Sequence, residues 1–381
     1  MRCSKMTQHY LDNSATTRVS DAAAQKALEV MTTEYANPSS LHSFGFSAAK
    51  ELEVARQAVA STLGADVSEI IFTSGGTEAN NLAILGTVQA LKRRGNKIIT
   101  TATEHSSVYD TMKELQKDGF EVIFVKPDTS GCINPVEVVN AVDDKTILVS
   151  IMLVNNETGA INPIKEIFTN IKRRYQSVVL HTDAVQGFGK IDIKAKKLSC
   201  DLLTISGHKV HAPKGVGALY IKKGVRLIPR TFGGSQERKL RTGTESTPLI
   251  CAFGVAVSEI NVAKNVEIAT ELNTYLRDKL KAIPDIIINS PNTASPFVLN
   301  FSVKGIRSET MLHHLASSGI YVSSGSACSK GAKSHVLEAM GLSDDIIDSA
   351  LRVSFSKFNN KSDCDALIDA LTNGINTLAK R

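Results

Sequence analysis

The sequence predicts an α/β protein: a large domain with a mainly parallel, mixed sheet covered by helices, followed by a smaller α+β domain. Three observations lead there. The chain has 381 residues, more than a single hydrophobic core ordinarily serves. Short β-branched runs alternate with helical stretches over residues 18–261, as expected of strands joined by crossover helices. Beyond residue 262 the texture changes to a long helix and shorter strands. The expected division is therefore 18–261 and 262–381. Segment 1–17, which fits either domain as sequence, is grouped with the second.

The elements follow in order. Helices are expected at 22–33 and 47–63, and a β-branched strand at 69–73. Helix 78–94 leads to strand 97–102, and helix 108–117 to strand 121–125. Strand 146–154, helix 163–175, and strands 178–182, 202–206 and 216–221 complete the large sheet. One long helix is expected through 248–280. Strands at 297–302, 321–323 and 350–354 and helices at 308–317 and 362–378 make the smaller domain.

Composition narrows the function. Lys and Arg number 44 against 38 Asp and Glu, a net charge of +6. The basic groups KRRGNK (92–97), KAKK (194–197) and KKGVR (222–226) are short. They read as solvated surface, and the chain has no Trp, so no direct nucleic-acid role is expected. No apolar run approaches the roughly 20 residues that span a bilayer. The start, MRCSKMTQHYLDNSATT, lacks a secretory apolar stretch. A soluble cytoplasmic protein with no membrane partner is expected. Six Cys without a CxxC pair make neither a disulfide framework nor a structural zinc site.

In an open α/β sheet ligands bind beyond the carboxyl ends of the strands. After strand 69–73 comes SGGTEANN, where Gly75, Gly76 and Thr77 open a helix whose first amides suit a phosphate; a plain strand–helix turn is the other reading. His105 follows strand 97–102, and Asn155, Asn156 and Glu157 follow strand 146–154. Polar side chains at a buried strand end need partners, although turn residues look the same. Asp183 and Gln186 follow strand 178–182, as a helix cap or as a carboxylate for a protonated ligand nitrogen. Lys209 follows strand 202–206, where a desolvated amine becomes nucleophilic toward a carbonyl. Together these residues describe a site for pyridoxal phosphate, which needs a lysine for its aldehyde, an acid for its ring nitrogen and an anion cradle. Cys328 sits in SSGSACSKGAKSH, a small-residue stretch that reads as an exposed loop near 323–334, whereas Cys200 and Cys251 look like buried small hydrophobes.

The strings YLDNSATT, NPSSLH, TSGGTEANNLAI, TEHSSV, VNNETG, HTDAVQ, SGHKVHAPKGVGALY, GGSQERKLRTGT, SSGSACS and ALRVSFSKFN occur in that order across essentially the whole chain. In them the sequence resembles the cysteine desulfurases of the NifS/IscS type, within the class V aminotransferase-like pyridoxal-phosphate enzymes of fold type I. The resemblance implies removal of sulfur from L-cysteine, giving L-alanine and a persulfide on Cys328. It implies that Lys209 holds the cofactor covalently, that His105 stacks on the ring and moves protons, and that Asp183 pairs with the ring nitrogen. Gln186 and Asn156 then meet the phenolic-oxygen side. Gly76, Thr77, Ser206 and His208 hold the phosphate, joined by Thr244 from the other subunit of a homodimer. Arg352, with Asn156, orients the substrate carboxylate. The persulfide would pass to a protein acceptor, an iron–sulfur scaffold or a tRNA- or cofactor-thiolation enzyme. Two departures from the family pattern stand out: a slightly short stretch after Cys328 bearing Lys330 and Lys333, and Ser235 in GGSQE. A selenocysteine lyase or aminotransferase would share the pocket, and a non-catalytic sulfur carrier would share the fold.

Overall fold

The computed structural model describes residues 7–324 and 333–379. In chain order it runs through β1 (His9–Tyr10), α1 (Asp21–Thr32), α2 (Ser43–Leu63), β2 (Ile70–Thr73), α3 (Gly76–Leu91), β3 (Lys97–Thr101), α4 (Ser106–Lys117), β4 (Glu121–Val125), α5 (Pro135–Ala141) and β5 (Thr146–Ser150). It continues through α6 (Ile164–Arg174), β6 (Val179–Asp183), β7 (Leu202–Ser206), β8 (Gly217–Ile221), α7 (Thr247–Ser258), α8 (Val262–Lys281), β9 (Ile286–Ile288) and β10 (Val298–Val303). The last elements are α9 (Ser308–Ser317), β11 (Ile320–Tyr321), β12 (Ser323–Ser324), α10 (His335–Ala339), α11 (Asp344–Asp348), β13 (Ala350–Ser354) and α12 (Lys361–Thr377).

Seven strands form the large sheet in the order β2-β8-β7-β6-β5-β3-β4. The pairs from β7 to β4 are parallel, while β8 is antiparallel to both β2 and β7. Six strands therefore point one way, β8 alone is reversed, and the carboxyl ends of the six share one edge. Strands β5 to β8 are buried at every position, as a sheet covered on both faces requires. On one face, Ala79, Leu82 and Ala83 of α3 pack over Leu148, Val179 and Leu202. On the other, Leu52 and Val59 of α2, Phe168 of α6 and Phe253 of α7 cover Phe72, Val149 and Leu203.

A second sheet, β12-β13-β10-β9, is antiparallel throughout, and β1 pairs in parallel with β11. Its core joins Leu11 to residues between Leu272 and Leu371.

Three expected elements differ. The short strand over 321–323 is two, β11 paired with β1 and β12 paired with β13. The strand over 146–154 ends at Ser150. Beyond it, Met152 N–H donates to Glu104 Oε1 (2.8 Å) and Leu153 N–H to the Asp183 carbonyl (2.9 Å), so side chain and strand end take over from the ladder. The helix over 248–280 is two helices, α7 and α8, meeting at 75°. The signal for the break is Asn261, whose side chain accepts from Lys264 N–H (3.0 Å) and caps α8. Their characters also differ: α7 is buried along most of its length, whereas α8 buries one stripe. Among the described residues no single helix is both long and apolar enough to cross a membrane; α7 and α8 meet the two conditions only together, as this bent pair.

Candidate active site

The shared edge of the large sheet gathers the expected residues. Asp183 is the last residue of β6 and Ser206 the last of β7, with His208 and Lys209 in the 3₁₀ turn that follows. His105 caps α4 just after β3, Asn156 follows β5, and Gly76 opens α3 just after β2.

Asp183 is 5% exposed. Its Oδ1 accepts from Val185 N–H (2.9 Å) and its Oδ2 from Asn80 Nδ2 (2.7 Å). Asn80 also donates to Ser107 Oγ (2.9 Å). His105 Nδ1 lies 2.9 Å from that hydroxyl and accepts from Ser107 N–H (3.1 Å). A backbone N–H can only donate, so Nδ1 carries the lone pair and neutral His105 keeps its proton on Nε2. Burial lowers the His105 pKa, opposed by Asp183 and reinforced by Lys209, which favours that neutral form. Asn80 thus ties the expected acid to the expected ring partner. Sequence reasoning missed it, although it lies in the quoted SGGTEANN.

Lys209 Nζ donates to the carbonyls of Ser14 and Ala15, each at 2.6 Å. Gln186 Nε2 donates to the same Ser14 carbonyl (3.0 Å), while its Oε1 accepts from Lys190 Nζ (2.9 Å). Lys190 is buried, and desolvation first, then Lys209 and Arg352, bring its pKa down to about 7. His208 Nδ1 lies 3.2 Å from Thr16 Oγ1, and its pKa falls to about 4 through burial and then Lys209. Residues 12–17 therefore wall one side of the site, which only contacts across the chain reveal.

Arg352 lies within β13, 3% exposed. Its Nη1 donates to the Asn156 carbonyl (3.0 Å) and its Nη2 pairs with Asp12 Oδ1 (2.8 Å). Its buried Nε has no partner among the described residues, a donor available to an acceptor. Asn156 thus meets Arg352 through its backbone rather than its amide. Next to it, buried Glu157 accepts from Ser334 Oγ (2.5 Å); burial raises its pKa to about 7, against the pull of Arg352.

Thr244 is exposed, ahead of α7, and no hydrogen bond joins it to these residues. Cys328 lies outside the described residues.

The comparisons place this arrangement. The model of the aminotransferase class-V family matches residues 9–367. The chain belongs to that family. A cysteine desulfurase IscS of Clostridium botulinum is 41% identical over 372 residues, covering 96% of this chain and 93% of that protein. The structure of a NifS-like protein superposes with a TM-score of 0.92 at 37% identity, covering 98% of this chain and 100% of the other. SspA in complex with cysteine gives 0.82 at 33% identity, covering 93% and 100%.

Class-V aminotransferases of this kind take pyridoxal phosphate as cofactor, and the residues at the strand ends fit it. Gly75 has φ +154°, and no side chain caps α3, so its first amides face outward for an anion. A Cβ on Gly76 would stand a tight 3.0 Å from Val185 Cγ2, while one on Gly75 would lie at an ordinary 3.9 Å from Ser206 Oγ, so the hydroxyl lies beside the turn and at Gly75 it is the positive φ that favours glycine. Asp183 offers a buried carboxylate, with its hydrogen bonds already made, to a protonated ring nitrogen, and Lys209 offers the amine.

Proposed function

We propose that the protein is a cysteine desulfurase, taking sulfur from L-cysteine to leave L-alanine and a persulfide on Cys328. The carrying observation is that residues 12–15 hold two cations at once: Lys209 on the Ser14 and Ala15 carbonyls, and Arg352 on Asp12. A stretch that short spans at most about 14 Å. The amine-directed and carboxylate-directed ends of an α-amino acid site therefore lie on one strip of chain.

Each side chain has a task. Asp183 pairs with the ring nitrogen, and neutral His105 covers the ring. Gln186 and Asn156 meet the phenolic-oxygen side. Gly76, Thr77, Ser206 and His208 take the phosphate. Arg352 grips the substrate carboxylate in two-pronged fashion, and Asn156 keeps the guanidinium in place. When bound, pyridoxal phosphate supplies the electron sink that acidifies the α-carbon. Lys209 takes the α-proton and returns one to the product. The Cys328 thiolate attacks the substrate sulfur, so an S–S bond forms as the S–Cβ bond breaks. One thiol and one cysteine become one persulfide and one alanine, with no outside oxidant.

The broader reading follows the same line. Residues 18–261 form the cofactor domain, and 262–381 with segment 1–17 the smaller one; the pairing of β1 with β11 supports that grouping. The chain works in the cytoplasm as a homodimer in which exposed Thr244 reaches the other subunit's phosphate. The persulfide goes to a protein thiol of an iron–sulfur scaffold or a thiolation enzyme.

The test is incubation of the holoenzyme with labelled L-cysteine, assay of alanine, and mass spectrometry of the Cys328 peptide. The Cys328→Ser protein is expected to keep the cofactor's visible absorbance and lose alanine formation. Normal alanine and sulfide production by Cys328→Ser would overturn the assignment.

A further inference from the structure

Lys190 is a buried amine, 7% exposed, with no task in the bond changes. Two helical turns follow β6, with Phe188 N–H on the Ala184 carbonyl (2.8 Å) and Ile191 N–H on the Gly187 carbonyl (2.9 Å). Residues four apart share a side of such turns, so Lys190 Nζ reaches Gln186 Oε1 (2.9 Å). Phe297 lies against the amine, its ring centroid 5.7 Å away. Among the described residues no carboxylate pairs with Lys190. Lys209 and Arg352 face it with like charge, and the imidazoles of His208 and His211 feel its own. On the cavity of about 30 Å³ that it shares with Lys209 and His211, Glu259 is bound to Lys357 (3.4 Å). A buried amine without a counter-charge is costly, and burial followed by those two cations brings it to about 7. Near neutral pH it therefore serves as a donor as much as a charge.

Its acceptor is the amide assigned to the phenolic-oxygen side of the cofactor. The Ser14 carbonyl can only accept and the Lys190 amine can donate, so an amide held between them has one orientation, Nε2 toward Ser14 (3.0 Å) and Oε1 toward Lys190. Lys209 Nζ donates to the same Ser14 carbonyl (2.6 Å). Lys190, Gln186, the Ser14 carbonyl and Lys209 thus form one continuous run of hydrogen bonds. Nε2 carries a second hydrogen, and Ser14 is its only acceptor among the described residues. We propose that Lys190 is a positioning residue acting through Gln186: it holds the amide so that the second hydrogen of Nε2 is kept for the cofactor's phenolic oxygen. This rests on the placement of pyridoxal phosphate in the desulfurase reading, and not on its sulfur step. Without Lys190, Oε1 becomes a buried acceptor with no partner, and the amide gains by turning toward another donor.

The experiment is a pH titration of the visible absorbance of holoenzyme carrying Lys190→Met, Gln186→Met or both. It follows the proton on the Lys209–cofactor linkage and involves no thiol. Methionine fills the space of either stem, and at position 190 it relieves a buried amine of its unpaired charge, so the variants fold, as circular dichroism checks. A donor on the phenolic oxygen is worth most once the neighbouring proton has left and the oxygen's charge is uncompensated, so losing the donor raises the midpoint. Each single variant is expected to raise it by about one pH unit, the worth of one hydrogen bond to a charged oxygen. The double variant should shift no further than the larger single one, because both changes remove the same interaction. An unmoved midpoint in Lys190→Met overturns the inference. So does a double shift equal to the sum of the single ones, which a charge acting through space would give. Alanine formation from L-cysteine is measured on the same samples. Midpoints that shift as expected while the wild-type protein makes no alanine support this inference and overturn the sulfur step of the desulfurase reading. Wild-type protein that gains no visible absorbance with pyridoxal phosphate overturns both.

Discussion

The carboxyl edge of the large sheet and the middle of the small one handle charge in opposite ways. At the large sheet, Asp183, His105 and Lys209 sit at or just past strand ends, where side chains are freed from ladder pairing and can meet a ligand. At the small sheet, Arg352 sits inside β13, paired with β10 and β12 on either side and bound to Asp12 and the Asn156 carbonyl. Groups that take part in bond changes need room and adjustable proton affinity. A group that only orients a carboxylate gains from being held still.

The sharpest way to break that contrast is at the reacting end. Lys209→Ala should abolish both the visible absorbance of bound cofactor and alanine formation; persistence of either would remove Lys209 from the chemistry. Asp183→Asn comes next. It keeps a hydrogen-bond partner for Asn80 but removes the charge, so α-proton removal should slow by about 10²- to 10³-fold, read by α-hydrogen exchange, with the protein still folded by circular dichroism. At the holding end, Arg352→Lys keeps the charge but loses the fork. KM for L-cysteine should rise about 10- to 100-fold with a smaller change in kcat. A fall in kcat at constant KM would instead mean that Arg352 acts in bond making.

Two buried groups sharpen the comparison through pH. Burial first, then the Asp183 charge, raises Glu104 from 4.5 to about 8, although Met152 N–H and Thr101 Oγ1 bond to its Oε1. The folded protein holds this proton more tightly than the unfolded chain. Its contribution to stability is complete below pH 4.5 and is lost as pH rises toward 8, at up to about 1.4 kcal/mol per pH unit. Glu104→Gln should flatten that alkaline decline in denaturant midpoints measured from pH 5 to 8.5. His181 works in the other direction. Bonded to Ser150 Oγ and Thr204 Oγ1 between strands, it is lowered by burial from 6.5 to about 3. Its contribution is present above pH 6.5 and is lost as pH falls toward 3, so His181→Gln should reduce the acid slope. This is the smallest expected effect, because other groups titrate in the same range.

Much of the site could be read because its parts follow apolar strands. Local pattern alone puts Asp183, Lys209 and Gly76 just past strand ends; Lys209 and Gly76 lie there, and Asp183 is the last residue of its strand. The long helix misled for a local reason as well: apolar α7 and amphipathic α8 run together as sequence, and the cap at Asn261 is one side chain. Short elements such as β1 and β9 carry too few residues to show a period. Cys328, the candidate sulfur acceptor, rests on sequence and resemblance, since it lies outside the described residues.

The amino-acid order by itself determined the alternation of strands and helices, the charges available and the residues waiting at the strand ends, because each is set within a few neighbours along the chain. Only the tertiary structure decided which of them meet. Lys209 finds the Ser14 carbonyl across 195 residues, Arg352 finds Asp12 across 340, and Ser334 finds Glu157 across 177. Such pairings depend on where whole layers come to rest, and no local spacing encodes them.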